Sequence, residues 1–301
     1  TMRRKKIKDI SPAMIQGMLS DLLAHGRIKK EGSLSVTTVR SVRTTLATAF
    51  EAALDNGFLV KNVVKKTKPP VATTKREIVY LTHDEIKRLL KVADSGQYYD
   101  NYPDILDDAG CVYLIRCYAT AVRLTLATGL RWGETFGLCW KDVDFGAGSI
   151  YIHNNLQDGQ LKQPKTSYSI RKISVDKATM RRLKEWQKQQ SEYAKAVGDI
   201  YSNTLGLLFT SINGRPVRYD NFRCRQWNNM MRAASLPEGC TYHSLRHTVA
   251  TQLLRKGINI KVISQRLAHS SVAFTLKTYA HCMPDMDRTA AEAMAGLLTD
   301  E

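Results

Sequence analysis

A chain of 301 residues with 43% hydrophobic residues is long enough for two domains and too apolar for wholesale disorder. It contains no run of about 18 apolar residues, and its basic start TMRRKKIKDIS lacks the apolar stretch of a signal peptide, so we expect a soluble cytoplasmic protein. The formal net charge of +17 favours a protein that binds nucleic acid, because lysine and arginine contacts to phosphates release condensed counterions.

The first 70 residues carry a disproportionate share of this charge. They hold 14 Lys+Arg and 5 Asp+Glu, a net charge of +9, so under a quarter of the chain carries about half of the excess. The alternative is positive charge that only keeps a protein soluble, and it predicts a more even spread. The concentration therefore indicates a module that grips DNA.

Two amphipathic helices are predicted within this module. The first covers residues 11–25, with Ser11 as its N-cap, Pro12 at the first helical position and Gly26 after its end. The second runs from about 35 to 56, and apolar residues recur at helical spacing in both. Two helices make a thin core, so we expect a small helical module that lacks a partner and was cut from a longer protein.

An exposed linker is predicted over residues 61–78, which contain a Pro-Pro pair and many lysines without usable periodicity. A new helix should begin at Thr82, whose TxxE pattern to Glu85 is a capping box. A long apolar helix should follow at about 109–128. Further helices are predicted near 177–197, 219–234, 244–256, 260–267, 271–280 and 287–298.

A short antiparallel sheet is predicted between these helices. The segment SIYIHNNL (149–156) alternates apolar and polar residues, and LKQPKTSYSIRKISV (161–175) follows it with a turn near Thr166–Tyr168. The elements together predict a mainly α fold with a small antiparallel β-sheet.

Three segments hold side chains that cleavage of a phosphodiester requires. The phosphate gains negative charge in the transition state, so arginines must hold it rigidly while a nucleophile attacks and an acid protonates the leaving oxygen. The candidates are Arg131 in ATGLRWGE (127–134), His243 and Arg246 in HSLRHT (243–248), and His269 and Tyr279 in LAHSSVAFTLKTYAH (267–281). Taken singly, a helical tyrosine or histidine is more often a packing residue.

Neither a metal site nor a nucleotide cofactor is indicated. The sequence contains no HExxH pattern, no paired-carboxylate motif and no GxxxxGK[ST] loop. The six cysteines include no CxxC pair, and the spacings of Cys240 with His243 and His247, or of His281 with Cys282, fit no zinc motif. We therefore predict a protein that uses no cofactor and no metal.

The segments resemble the sequence boxes of the tyrosine recombinases, the phage-integrase family. That family shows TGLRxxE, then HxLRH, then a histidine or tryptophan in an LGH-like turn, and then the tyrosine. The spacings agree with it, since 22 residues separate Arg246 from His269 and nine separate His269 from Tyr279. QPKTSYSIRKI is similar to the family's β-hairpin lysine segment, which makes Lys165 the matching lysine. The resemblance covers about residues 79–285.

The resemblance implies a role for each matching residue. Tyr279 attacks the scissile phosphate and leaves a 3′-phosphotyrosine and a free 5′-hydroxyl, so the bond energy is kept and no ATP is needed. Arg131 and Arg246 hold the non-bridging oxygens, and Glu134 orients Arg131. Lys165 is the general acid for the 5′-oxygen.

The histidines receive separate roles from the resemblance. His243 is the base or hydrogen-bond partner of the tyrosine hydroxyl, and His269 donates to a phosphate oxygen. His247 and His281 are left as structural or secondary. The chain departs from the family at Ala268, where glycine is common; if that position needs φ > 0, alanine costs roughly 1 kcal/mol.

The same resemblance implies a two-domain C-shaped DNA clamp. A basic helical core-binding domain covers 1–68, a linker 69–78, and a catalytic domain 79–301 with a tail helix at 287–298. The expected partners are double-stranded DNA at recombination sites, further copies in a homotetramer that works through a Holliday junction, and an excisionase or a DNA-bending accessory protein, with no membrane. The tail helix packs on its own domain or, as the resemblance favours, on a neighbouring protomer.

The implied function is that of a site-specific recombinase that integrates and excises a mobile element. One alternative is a type IB topoisomerase, which shares the nucleophile chemistry but rejoins the same strand. Another is a catalytically dead DNA-binding protein on the same fold, against which the full set of matching residues argues.

Overall fold

The computed structural model describes residues 5–27, 32–71, 78–99, 108–164 and 167–279, together with Ala291, Met294 and Ala295. Its internal contacts divide the chain into two units, Thr1–Glu77 and Ile78–Glu301. Lys165 and nearly all of the predicted tail helix at 287–298 lie outside the described residues. No helix in the described ranges is long and apolar enough to cross a membrane.

The N-terminal unit is a pair of capped helices around a small core. Helix α1 spans Pro12–His25 and α2 spans Val36–Asp55, close to the predicted bounds. Ser11 Oγ accepts a hydrogen bond from the backbone N of Met14 at 3.3 Å, and Ser35 caps α2 in the same way, so each serine satisfies an otherwise unpaired amide. The buried hydrophobic residues of this unit are Ile15, Leu19, Val39, Phe50, Val63 and Val64.

The prediction of an exposed linker from residue 61 onward is wrong for its first part. Val63–Lys66 form a 3₁₀ turn, and Val63 and Val64 are buried in the core that α1 and α2 share. Arg43 ties the turn to α2, since its Nη2 donates to the carbonyl oxygens of Val64 at 3.2 Å and Thr67 at 2.9 Å. Two adjacent valines are too short a run to show a period, yet they fill part of the core that two helices leave thin.

The C-terminal unit is mainly helical, as predicted. Its helices are α3 (His83–Ser95), α4 (Asp108–Thr128), α5 (Trp132–Phe136), α6 (Lys177–Val197), α7 (Tyr219–Asn221), α8 (Asn228–Ala233), α9 (Tyr242–Arg255), α10 (Ile260–Leu267) and α11 (Val272–Tyr279). The long α4 packs against α3, α6 and α9, and Cys117, Val122 and Leu124 on it are fully buried. The predicted capping box of Thr82 and Glu85 begins α3.

The segment predicted as one helix at 219–234 contains a π-helical turn, Phe222–Trp227, between α7 and α8. Phe222 and Trp227 are both buried, and their rings pack edge-on against Tyr242 at centroid distances of 5.4 and 5.3 Å. Positions five apart in an α-helix point about 140° away from each other. The wider π turn therefore lets both rings reach the same neighbour on α9.

The strands form two small antiparallel sheets. Strands β1 (Val143–Asp144), β2 (Ser149–Ile152) and β5 (Arg171–Ser174) pair in the order β1-β2-β5, with Ile152 opposite Arg171. Strands β3 (Asn155–Gln157) and β4 (Gln160–Lys162) form a separate hairpin.

The prediction of one sheet is therefore wrong, whereas the turn predicted near Thr166–Tyr168 agrees with the described turn at Ser167–Ser169. The alternating segment 149–156 is divided between the two sheets, and its hairpin turns at Asp158 and Gly159, whose φ angles are 53° and 78°. An Asp-Gly pair favours this tight two-residue turn because both positions need positive φ. Thr166 lies outside the described residues, and Tyr168 lies in a 3₁₀ turn, Ser167–Ser169.

Candidate active site

The first turn of α9 carries three of the polar side chains of the site. His243, Arg246 and His247 stand at positions i, i+3 and i+4, so they share one helix face. The Arg246 side chain is buried, and its Nη1 donates to the carbonyl oxygen of Gly129 at 2.8 Å, while Nη2 donates to that of Leu267. Gly129 ends α4 with φ of 75°, and a Cβ there would lie 2.3 Å from Leu267 Cδ2, so glycine permits this close approach.

Arg131 is the N-cap of α5 and is paired with Glu134. Its Nη1 donates to Glu134 Oε1 at 2.9 Å, and its backbone N donates to Oε2 at 2.9 Å. The second guanidinium nitrogen, Nη2, donates to the carbonyl oxygen of Ala268 at 3.3 Å. The Arg131 side chain stays 39% exposed, so part of the guanidinium remains open to a ligand.

Glu134 also accepts a second arginine, Arg171 of β5. Arg171 Nη1 lies 3.2 Å from Oε1 and Nη2 lies 3.0 Å from Oε2, which is the parallel two-pronged geometry that suits a guanidinium and a carboxylate. Burial raises the pKa of Glu134, but the hydrogen bonds and charge of Arg171 and the charge of Arg131 outweigh it and hold that pKa below its usual value.

The C-terminal turn of α10 anchors all three arginines. Arg171 Nε donates to the carbonyl oxygen of residue 266 at 2.8 Å, Arg246 Nη2 to that of residue 267, and Arg131 Nη2 to that of residue 268 at 3.3 Å. The last carbonyls of a helix lack partners within it and carry the negative end of the helix dipole, so they attract cations. We call these three oxygens the carbonyl triplet.

Ala268 adopts the left-handed conformation at the end of this turn, with φ of 49° and ψ of 52°. The position does need positive φ, which alanine adopts at a cost of roughly 1–2 kcal/mol relative to the right-handed conformation. The turn therefore keeps its shape without the glycine common in the family that it resembles.

The histidines and Tyr279 form a second layer beside the arginines. His247 Nδ1 lies 2.6 Å from the Tyr279 hydroxyl. The His243 ring stands 4.8 Å from the His247 ring, and the His269 ring is stacked 6.2 Å from the Tyr279 ring. His269 Nδ1 is held by Thr275 Oγ1 at 2.7 Å. The close contact to the tyrosine hydroxyl thus belongs to His247 and not, as predicted, to His243, because the end of α11 packs beside the later of the two histidines.

Tyr279 is the last described residue of α11 and is only 1% exposed. Its ring belongs to a small apolar cluster with residues of α9 and α10, including Val249, Leu254 and Leu267. The hydroxyl that the sequence predicts as nucleophile therefore lies inside the unit, with its oxygen 2.6 Å from an imidazole nitrogen.

The electrostatic balance of the site favours a bound anion. Burial together with the neighbouring cationic groups lowers the pKa of His247 to about 4 and of His269 to about 3, and burial with the charge of Arg131 lowers the pKa of Arg246 to about 9. Arg131, Arg171 and Arg246 bring three positive charges to the single negative charge of Glu134. A phosphate group beside them would supply the missing negative charge.

The comparisons with known proteins agree with this geometry. A sequence model of the phage integrase family matches residues 79–285, which is more than half of the chain. The chain belongs to the phage integrase family. Members of this family are tyrosine recombinases, so the resemblance found in the sequence is confirmed.

Two relatives match this chain over most of its length. It is 28% identical to a tyrosine recombinase XerC-like protein of Caldanaerobacter subterraneus over 97% of this chain and 72% of that protein. It is 26% identical to the ICEBs1 integrase of Bacillus subtilis over 89% of this chain and 68% of the relative.

Among solved structures, the Tn1549 transposon integrase in complex with a circular intermediate DNA has the same fold. Its TM-score is 0.72 at 22% identity, over 96% of this chain and 86% of that one. A lambda integrase (75-356) dimer bound to a COC′ core site gives a TM-score of 0.59 at 20% identity, over 94% and 83%. The predicted fold class is confirmed.

The structure gathers most of the predicted site residues around the turn after α10. Those that it brings together are Arg131, Glu134, His243, Arg246, His269 and Tyr279. Lys165 lies outside the described residues, so its predicted place in the site stays a prediction. No group of three or more His, Cys, Asp or Glu side chains within the described ranges could hold a metal ion.

Two residues of the site were missed by sequence reasoning. His247 follows Arg246 directly, and its position four residues after His243 was the available signal that it shares their helix face. Arg171 stands two residues before the buried Ile173, so strand alternation places this arginine on an inward face. A basic residue at an inward strand position needs an acidic partner, and that signal could have found it.

Proposed function

We propose that this chain is a site-specific DNA recombinase that cleaves and rejoins duplex DNA through Tyr279, integrating and excising a mobile element. The observation that carries the proposal is the Tyr279 hydroxyl, 2.6 Å from the imidazole of His247 and beside two arginines fixed to the same turn. This arrangement pairs a nucleophile and a proton acceptor with cationic donors for a phosphate.

The proposed cleavage step begins with the phenolic oxygen of Tyr279. It attacks the scissile phosphorus while its proton passes to His247, in the tautomer whose Nδ1 is unprotonated. The bond from phosphorus to the 5′-oxygen breaks, and that oxygen takes a proton from the general acid, the role predicted for Lys165. In the rejoining step a free 5′-hydroxyl attacks the phosphotyrosine and releases Tyr279, so no energy source is consumed.

The arginines would hold the two non-bridging oxygens during both steps. Part of the Arg131 guanidinium is exposed, and Arg246 lies beside Arg131 because both donate to neighbouring oxygens of the carbonyl triplet. His269, beside the tyrosine ring, would donate to a phosphate oxygen. His243 packs against His247, so it would position His247 as the proton acceptor and would not itself take the proton from the Tyr279 hydroxyl. Because Tyr279 is buried, the proposal also requires α11 to shift when DNA enters the site.

The N-terminal unit is proposed as the core-binding domain, with residues 69–78 as the linker to the catalytic domain. Its described surface carries exposed lysines at 5, 6, 8, 61, 65, 66 and 68. Such lysines bind phosphates without regard to sequence and make the affinity fall with salt. The finer assembly that we propose is a homotetramer on paired sites, with an excisionase or a DNA-bending accessory protein as a further partner.

The deciding experiment uses a nicked duplex that carries the joined ends of the element encoding this chain. Cleavage near the nick releases a short strand, so the covalent protein–DNA product accumulates and is seen on a denaturing gel. Wild-type protein should form this adduct, and Tyr279→Phe should bind the same DNA without forming it, because phenylalanine keeps the ring packing and removes the nucleophile.

Three outcomes would contradict the proposal. An adduct at the wild-type level with Tyr279→Phe would place the nucleophile elsewhere. Relaxation of a supercoiled plasmid without any exchange between two sites would instead favour the type IB topoisomerase reading. Binding without an adduct by the wild-type protein would favour a catalytically dead DNA-binding protein.

A further inference from the structure

Arg171 makes four side-chain hydrogen bonds within the protein, whereas Arg131 and Arg246 make two each. Its side chain is 8% exposed, against 39% for Arg131. Nη1 donates to Glu134 Oε1 and to the carbonyl oxygen of Ser169, Nη2 donates to Glu134 Oε2, and Nε donates to the carbonyl oxygen of Arg266. With four of its five N–H donors engaged in protein, Arg171 has little donor capacity left for a substrate.

Arg171 binds the carboxylate of Glu134, and the same carboxylate binds Arg131. Glu134 accepts from the backbone N and the Nη1 of Arg131, and its two oxygens are also gripped by Arg171. A carboxylate held by a two-pronged guanidinium cannot rotate freely, so its remaining lone pairs point in fixed directions. The direction of the Arg131 fork therefore depends on Arg171.

Strand β5 places Arg171 where this grip is possible. The β2–β5 pairing sets Arg171 opposite Ile152, and the Arg171 side chain joins β5 to α5 through Glu134 and to α10 through residue 266. One side chain thus fixes the strand that follows the Lys165 segment relative to the two elements that carry Arg131 and the carbonyl triplet.

We propose that Arg171 is a positioning residue of the strand-cleaving site: it locks the carboxylate of Glu134 and thereby aims the Arg131 guanidinium at the scissile phosphate. This inference rests on the proposed function, since it assumes that Arg131 contacts the phosphate. Arg171 itself touches neither the substrate nor the nucleophile.

The test measures single-turnover cleavage of the nicked duplex at saturating protein. Arg171→Gln should slow cleavage by roughly 10²-fold, the loss that misplacing a catalytic group by about an ångström can cause. Its DNA affinity should be unchanged, because the Arg171 side chain is only 8% exposed and most of its donors are bonded within the protein. Arg171→Lys keeps a charge beside Glu134 and should recover part of the rate.

A matched control lies elsewhere in the same unit. Asp94 is shared by Arg123 and Arg182, so it is also a carboxylate held by two arginines, and Arg182 Nη2 lies 2.6 Å from it. Arg182→Gln breaks the corresponding pair without reaching the site, and it should leave the cleavage rate unchanged.

A second substrate separates positioning from a general loss of folded protein. In a methylphosphonate duplex, one non-bridging oxygen of the scissile group is replaced by a methyl group, so the negative charge that Arg131 must meet is absent. The rate gap between wild type and Arg171→Gln should then shrink. A folding defect would slow both substrates by the same factor, because the ratio of the two rates cancels the folded fraction.

A double-mutant comparison adds an independent readout. If Arg171 acts through Glu134, the losses from Arg171→Gln and Glu134→Gln should not add in the combined variant. Equal cleavage by Arg171→Gln and wild type, an unchanged gap on the methylphosphonate, or additive losses would each overturn the inference alone. A wild-type protein that forms no Tyr279 adduct would overturn the proposed function and this inference with it.

Discussion

Replacing Arg131 by lysine should separate chemistry from binding. Arginine at this position meets three demands at once: Nη1 bonds to Glu134, Nη2 bonds to the carbonyl oxygen of Ala268, and the exposed edge is left for the phosphate. A lysine ammonium is a single nitrogen on a flexible chain, so it cannot reach these partners together. The charge is kept and the fixed fork is lost.

The expected magnitude follows from what that fork does in the transition state. Removing one rigid donor to a developing oxyanion costs about 10²–10³ in rate, or about 2.7–4 kcal/mol. Binding should change little, because the number of positive charges that meet phosphates is the same and the salt dependence of binding reports that number. Arg131→Lys should therefore keep the salt slope of wild type and lose two to three orders of magnitude in cleavage.

The assay pairs single-turnover adduct formation on the nicked duplex with gel shifts at several salt concentrations. Arg88→Lys is the matched control, since Arg88 is an exposed arginine that donates to the carbonyl oxygens of Ala234 at 3.0 Å and Ser235 at 3.2 Å. The control should cleave as wild type does. Equal losses of affinity and rate in Arg131→Lys would show that Arg131 is a positioning contact to DNA, and the reasoning above would fail.

Three further predictions concern metal, pH and the tail. Cleavage should survive EDTA, because guanidinium groups stabilise the phosphate charge in place of metal ions; strict dependence on Mg²⁺ would refute this. The free energy of unfolding should fall as the pH drops below about 6.5. The folded protein keeps His247 neutral down to about pH 4 and His269 neutral down to about pH 3, whereas both histidines take up protons below about pH 6.5 in the unfolded chain. The midpoint of denaturant unfolding, measured between pH 7.5 and 5, reports this change. In His269→Gln the midpoint should depend less steeply on pH, and a midpoint that rises on acidification would contradict the prediction. Deleting 287–301 should spare binding to a single site and weaken assembly on paired sites, as gel shifts would reveal; unchanged assembly and unchanged cleavage would mark the tail as packing on its own domain.

Much of the fold could be predicted because its signals are local. Ser11 and Thr82 fix helix starts through their own hydroxyls, and Gly129 ends α4 with the positive φ that glycine tolerates. The Asp158-Gly159 turn is equally local, but the alternation before it does not reveal that the segment 149–156 is divided between two sheets. The burial of Val63 and Val64 depends on two distant helices, which no window of sequence contains.

The candidate site was harder to predict because its contacts join distant segments. Spacing found Arg131, Arg246, His269 and Tyr279, since motif distances are a property of the sequence. The choice between His243 and His247 as the partner of the tyrosine depends on where α11 ends relative to α9, a distance that only packing sets. The place of Arg171 beside Glu134 depends likewise on the pairing of β5 with β2.

The carbonyl triplet has a consequence for how such a site can change during evolution. Its acceptors are main-chain oxygens, so no substitution can delete them, and selection can act only on the path of the backbone through the turn. At residue 268 the backbone path matters more than the identity of the side chain, as alanine at a left-handed position illustrates. Grafting the three arginines onto another helical scaffold would therefore not rebuild the site unless the helix end that gathers them were copied as well.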